Sequence, residues 1–140
     1  MSTVDLKVDD FEKTITDNPI VLVDFWAAWC GPCRQFAPIY DKLSDENPDI
    51  VFGKVDTDAE TELAAMAQIT SIPTLMAFRD GIAIFRQAGA LPAPALADLI
   101  SQIRAVDMDD VRAQIAAQEA GEAEVATDVA DAEADTKEAK

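Results

Sequence analysis

The stretch Ile20-Val21-Leu22-Val23-Asp24-Phe25-Trp26-Ala27-Ala28-Trp29-Cys30-Gly31-Pro32-Cys33 decides how this chain reads. Its first seven residues are apolar on both faces apart from Asp24, the pattern of a strand buried between two layers. Gly31 then permits a close turn, and Pro32 suits a helix start, where its missing N–H would have no partner anyway. Cys30 and Cys33 are the only two cysteines, and their spacing puts both sulfurs within reach of one disulfide if the backbone turns there. A Cys-x-x-Cys pair where a strand gives way to a helix is a redox centre far more often than a structural staple.

Elements of the same two periods alternate around this unit. Asp9-Asp10-Phe11-Glu12 reads as an N-cap with an acid three residues on, opening a short helix that Asn18-Pro19 stops. Gly31 to about Glu46 is expected to be a helix, kinked at Pro38 and ended by Asn47-Pro48. Ile50–Val55 is a second strand, and a short Ala-rich helix follows around Glu60–Gln68. Thr74–Arg79 and Ile82–Arg86 flank Asp80-Gly81, the strongest short hairpin signal in the chain. A last helix from about Pro92 to Arg104 places Leu96, Leu99, Ile100 and Ile103 on one stripe. The order β-α-β-α, then β-β-α, predicts an α/β fold with a mixed sheet and helices on both faces.

Length and charge narrow the function. The 140 residues allow one domain plus an appendage, and 49% hydrophobic content supports a core without disulfide staples. A net charge of −16 argues against nucleic-acid or anionic-membrane partners, which need a basic footprint. The absence of histidine removes Cys-His and Ser-His-Asp catalysis, and two cysteines alone cannot complete a four-ligand zinc site. The first residues carry neither a basic start nor an apolar signal core, so a cytoplasmic protein with a working dithiol is expected.

Within the motif, Cys30 falls where the helix begins, near unpaired N–H groups and the positive dipole end that favour a thiolate. Cys33, one turn in, is expected to be more buried and less acidic. Cys30 is therefore the exposed attacker of a partner's disulfide, and Cys33 resolves the mixed disulfide. Asp24, central in an apolar strand, is expected to be desolvated with a raised pKa, suited to moving a proton to and from Cys33. Lys54 interrupts the next strand and has two readings: a partner for Asp24, or a lysine snorkelling from a strand end. Pro73, in Ile72-Pro73-Thr74, enters a strand, and sequence leaves its isomer open.

Taken together, these residues resemble the thioredoxin family. Trp29-Cys30-Gly31-Pro32-Cys33 matches the family's active-site pentapeptide and stands after Val23-Asp24-Phe25-Trp26-Ala27, as in the family. The resemblance covers about residues 2–104. Asp24 falls on the buried acid, Lys54 on its lysine partner, Pro73 on the cis-proline and Gly89 on the glycine of the substrate-facing loop. It implies a thioredoxin fold with four or five central strands, in which Trp29, Ile72, Pro73 and Gly89 form an apolar platform around Cys30. It further implies disulfide-containing clients and recycling by a flavin- and NADPH-dependent thioredoxin reductase, with no cofactor or metal on the chain itself and a monomeric state. Phe36 and the Arg34-Gln35 pair depart from the usual residues after the motif and are expected to retune partner choice.

Three segments follow from the change in composition. Residues 1–104 hold 16 acids and 8 bases and form the thioredoxin-like domain, whereas residues 105–140 pack 11 acids and 3 bases into about a third of that length. Within the latter, residues 105–120 carry Met108, Val111 and Ile115 at helical spacing, with Asp107 as cap and Gly121 as terminator. Residues 121–140, dominated by Ala, Glu and Asp, are expected to be a disordered solubilising tail. The sequence thus points to a protein-disulfide reductase working through Cys30 and Cys33. The alternative is a binding module of the same fold whose C-terminal extension recruits a partner.

Overall fold

The structure, a computed structural model, describes residues 2–120. Five strands and four helices occupy the chain up to Ala105: β1 (Thr3–Asp5), α1 (Val8–Asp17), β2 (Ile20–Trp26), α2 (Gly31–Glu46), β3 (Val51–Asp56), α3 (Thr61–Met66), β4 (Thr74–Arg79), β5 (Ile82–Ala88) and α4 (Ala93–Ala105). The strands form one sheet in the order β1-β3-β2-β4-β5. β1, β3 and β2 are parallel, β4 runs antiparallel to β2, and β5 antiparallel to β4. This is the mixed sheet that the sequence predicted, with five strands.

β2 is central because both its faces are covered. Leu22 packs into a core with Phe36, Tyr40 and Leu43 of α2 and Leu96, Leu99, Ile100 and Ile103 of α4. Val21, Val23 and Phe25 point the other way, into a core with Val55, Leu63 and Phe78, against which Phe11 and Ile15 of α1 pack. An apolar run with no exposed side is the sequence of a strand so placed. Phe36, expected from sequence to retune partner choice together with Arg34 and Gln35, is 1% exposed and belongs to this interior. Only Arg34 and Gln35 of that trio reach the surface.

The local expectations meet three adjustments. α1 begins earlier than Asp9: Lys7 is its N-cap, and Asp10 accepts from the Lys7 N–H at 2.7 Å. β1 had no clear signal, since Thr3–Asp5 is too short for a readable alternation and takes its extended form from pairing with Phe52–Lys54. α2 continues through Pro38 to Glu46.

Among the described residues, those up to Ala105 form one compact unit and 106–120 belong to a second. In the second unit residues 108–120 are helical, and Asp107 Oδ1 accepts from the Asp109 and Asp110 N–H groups at 3.0 and 3.3 Å. Val111 and Ile115 are half-buried on this helix, whose other residues beyond Met108 are exposed. The expected stop at Gly121 and the tail 121–140 lie outside the described residues. None of the described helices is long and apolar enough to cross a membrane.

Candidate active site

The direction of the strands brings the site together. β2 ends at Trp26, and the chain turns into α2 through Ala27–Cys30. β4 runs opposite to β2, so its start, Thr74, pairs with Phe25 at that same end. β5 returns and ends with Ala88 opposite Thr74, which delivers Gly89 beside Pro73. The Gly89 N–H donates to Pro73 O at 2.8 Å. At φ +103 the Gly89 backbone lies in a region that side-chain-bearing residues rarely adopt, which is why glycine stands there. The Ile72–Pro73 bond is cis.

Cys30 and Cys33 are joined as a disulfide with their Cα atoms 5.2 Å apart. Cys30 is the N-cap of α2, and its Sγ accepts from the Cys33 N–H at 3.2 Å. That contact, together with the positive end of a sixteen-residue helix, favours negative charge on Cys30 once the bond is opened. The same Sγ lies 3.7 Å from Ile72 O, on the loop that carries Pro73.

Burial does not separate the two sulfurs as the sequence suggested. In the bonded state Cys30 is 4% exposed and Cys33 3%. Their surroundings differ instead. Cys30, Gly31 and Pro32 line an open groove of about 700 Å³, whereas Cys33 does not. Trp29, 67% exposed, forms one lip, and its Nε1 donates to Asp58 Oδ2 at 2.9 Å. The rest of the groove wall includes Thr61, Ala64, Ile69, Thr70, Ser71 and Ile72. This wall was not foreseen from sequence, nor was Asp58 as the holder of Trp29.

Asp24 is 1% exposed, and neither carboxyl oxygen has a hydrogen-bond partner. Burial pushes its pKa from 3.8 up to about 7, against the opposing pull of Lys54's charge. Lys54 stands directly across from Asp24 in the β2–β3 register. Its Nζ is not hydrogen-bonded to that carboxyl but lies over the Trp26 ring, 4.8 Å from the centroid. Close by on α2, the Tyr40 hydroxyl donates to Gly53 O at 2.8 Å, and burial drives its pKa well above 10. Among the described residues no cluster of three or more potential ligands could hold a metal.

The thioredoxin family profile matches residues 2–102. A Streptomyces coelicolor protein bearing the name thioredoxin 2 is 57% identical over 119 residues, 85% of this chain and 89% of that one. A thioredoxin of Mycoplasma genitalium is 41% identical over 90 residues, 64% of this chain and 88% of the relative. Among solved structures, Plasmodium falciparum thioredoxin superimposes with a TM-score of 0.66 at 36% identity, over 71% of this chain and 97% of that one. The oxidised mitochondrial thioredoxin 3 of Saccharomyces cerevisiae gives 0.66 at 33% identity, over 72% and 95%.

Proposed function

The chain belongs to the thioredoxin family and is a thiol–disulfide oxidoreductase, and on that premise we propose how its residues divide the work. The reduced Cys30 thiolate attacks one sulfur of a client disulfide. The client S–S bond breaks, one client thiolate leaves, and a Cys30–client mixed disulfide forms. Asp24 takes the proton of the Cys33 thiol, and the Cys33 thiolate attacks Cys30 Sγ. The mixed disulfide breaks, the second client thiolate leaves, and the Cys30–Cys33 bond closes. Two electrons have passed to the client.

The observation that carries this division is the N-cap position of Cys30, whose sulfur alone of the pair both receives a backbone N–H and lines the groove. Asp24 supports it in a second way. A carboxyl with a pKa of about 7 holds and releases a proton near neutral pH with almost equal ease, as a proton-transfer group must. Lys54 tunes that balance through its charge. Trp29, Ile72, Pro73 and Gly89 receive the extended client segment, with Gly31 and Pro32 setting the loop between the sulfurs.

Disulfide-containing proteins are the clients, and a flavin- and NADPH-dependent thioredoxin reductase returns the electrons. With no charged or imidazole side chain between the sulfurs, the thiolate of Cys30 gains little beyond the helix end, which suits a reductant more than a strong oxidant. The compartment we assign is the cytoplasm, where thiols are kept reduced, and one chain supplies every residue of the exchange, so the protein acts as a monomer. The test is dithiothreitol-driven reduction of a disulfide-bonded protein such as insulin. Wild type accelerates it and Cys30→Ser does not; undiminished activity in Cys30→Ser refutes the assignment.

A further inference from the structure

Arg86 stands on β5, away from the sulfurs, and nothing in the exchange gives it a task. Its guanidinium reaches across to the backbone that follows α3. Nη1 donates to Ala67 O at 2.5 Å, and Nη2 donates to Gln68 O. Such a two-pronged contact needs the planar fork of arginine; an ammonium serves as a single point charge.

The place where it lands is unusual in two ways. α3 is only six residues long and closes on itself after its C-cap Ala67, with the Gln68 N–H donating to Ala65 O and the Ile69 N–H to Ala64 O, both at 3.0 Å, so the carbonyls of Ala67 and Gln68 lie past the helix and are met by the Arg86 fork. Gln68, the first residue past the cap, takes the left-handed backbone that this closure requires, φ +56, at a position where glycine is usual and a side chain adds strain. Directly after Gln68, residues Ile69 to Ile72 run along the groove to Pro73. Arg86 pairs with Met76 across the β4–β5 ladder, in the same strand pair that brings Pro73 and Gly89 together. The guanidinium therefore ties the groove wall to the strands that frame the sulfurs.

We propose that Arg86 is a positioning residue for client recognition: by holding Ala67 O and Gln68 O it fixes the 69–72 wall against which a client's chain lies, and it takes no part in the sulfur chemistry. The inference rests on the disulfide-reductase reading and adds to it a determinant of client affinity that acts through backbone. A small disulfide without a polypeptide touches only the sulfurs, so it is blind to this wall.

The experiment follows from that contrast. Full-length reduced protein is mixed with excess disulfide-bonded insulin or with 2-hydroxyethyl disulfide, and oxidation is followed by tryptophan fluorescence. Arg86→Met, which keeps the aliphatic stem, is expected to raise the half-saturating insulin concentration about three- to tenfold with little change in the limiting rate. Its rate with 2-hydroxyethyl disulfide and the redox potential of Cys30–Cys33 stay at wild-type values. Arg86→Lys recovers part of the insulin effect. On a Gln68→Gly background, where the left-handed backbone no longer needs enforcing, the same Arg86→Met change has a smaller effect. Unchanged half-saturation in Arg86→Met, an equal loss towards 2-hydroxyethyl disulfide, or the full effect on the Gln68→Gly background overturns the proposal. If wild type oxidises with neither disulfide, the redox reading itself fails.

Discussion

Replacing Asp24 with Asn should change not only how stable the protein is but how stability depends on pH. The unfolded chain releases the Asp24 proton near 3.8, whereas the folded oxidised protein holds it to about 7. Below the first value both states keep the proton, and above the second neither does. Between them the unfolded state has lost a proton that the folded state retains, so stability falls as pH rises. At about 1.4 kcal/mol per pH unit, the interval from 3.8 to about 7 corresponds to roughly 4 kcal/mol lost from wild type. Asparagine has the same shape and no proton to lose. Its buried amide carries its own cost, about 1–3 kcal/mol, but that cost is the same at every pH. Urea unfolding of both oxidised proteins from about pH 4 to pH 8.5 isolates the carboxyl in the difference between them. That difference should shift in favour of the variant by several kcal/mol up to about pH 7 and then level off. A flat difference would mean that Asp24 ionises at its ordinary value despite its burial, and the proton-transfer role would lose its basis.

Further outcomes follow from neighbouring contacts. Lys54→Met removes the charge that opposes desolvation of Asp24, so the levelling-off point in the same unfolding series should move to higher pH; a downward move contradicts the through-space pull. Cys33→Ser leaves the groove-lining sulfur without its resolver, and incubation with cell extract should yield Cys30-linked mixed disulfides that dithiothreitol releases. Recovery of none argues against the order of attack. Tyr40→Phe strips Gly53 O of a buried donor and should lower unfolding stability by about 1 kcal/mol with insulin reduction unchanged; a variant as stable as wild type shows that the carbonyl finds another partner.

What sequence revealed and what it concealed divide along physical lines. The β2–α2 unit was legible because its signals are local: a two-sided apolar run, a turn-permitting glycine and a proline suited to a helix start, all within fourteen consecutive residues. Asp24 stood out for the same reason, as one acid in an otherwise apolar strand. β1 stayed hidden because its three residues owe their conformation to a neighbour strand rather than to their own pattern. The burial of Phe36 was not legible because a residue next to a surface pair can still face inward on a helix. The groove wall and its Arg86 clamp were illegible altogether. They join an arginine to carbonyls 18 and 19 positions earlier, and a carbonyl acceptor leaves no mark on amino-acid identity.

The antiparallel course of β4 has a consequence beyond redox chemistry. It gathers the ends of β2 and β5 with the start of β4 at one edge of the sheet, and leaves the Asp80-Gly81 turn beside Ile20 and Asn18-Pro19 at the opposite edge. The chain also enters β3 at that far edge, since β3 runs parallel to β2. The sheet therefore has a reactive pole and a quiet pole. Additional sequence, new chain ends or an attached label placed at the quiet pole are carried a whole strand length from the sulfurs, so this architecture can vary there without altering the electron-transfer end.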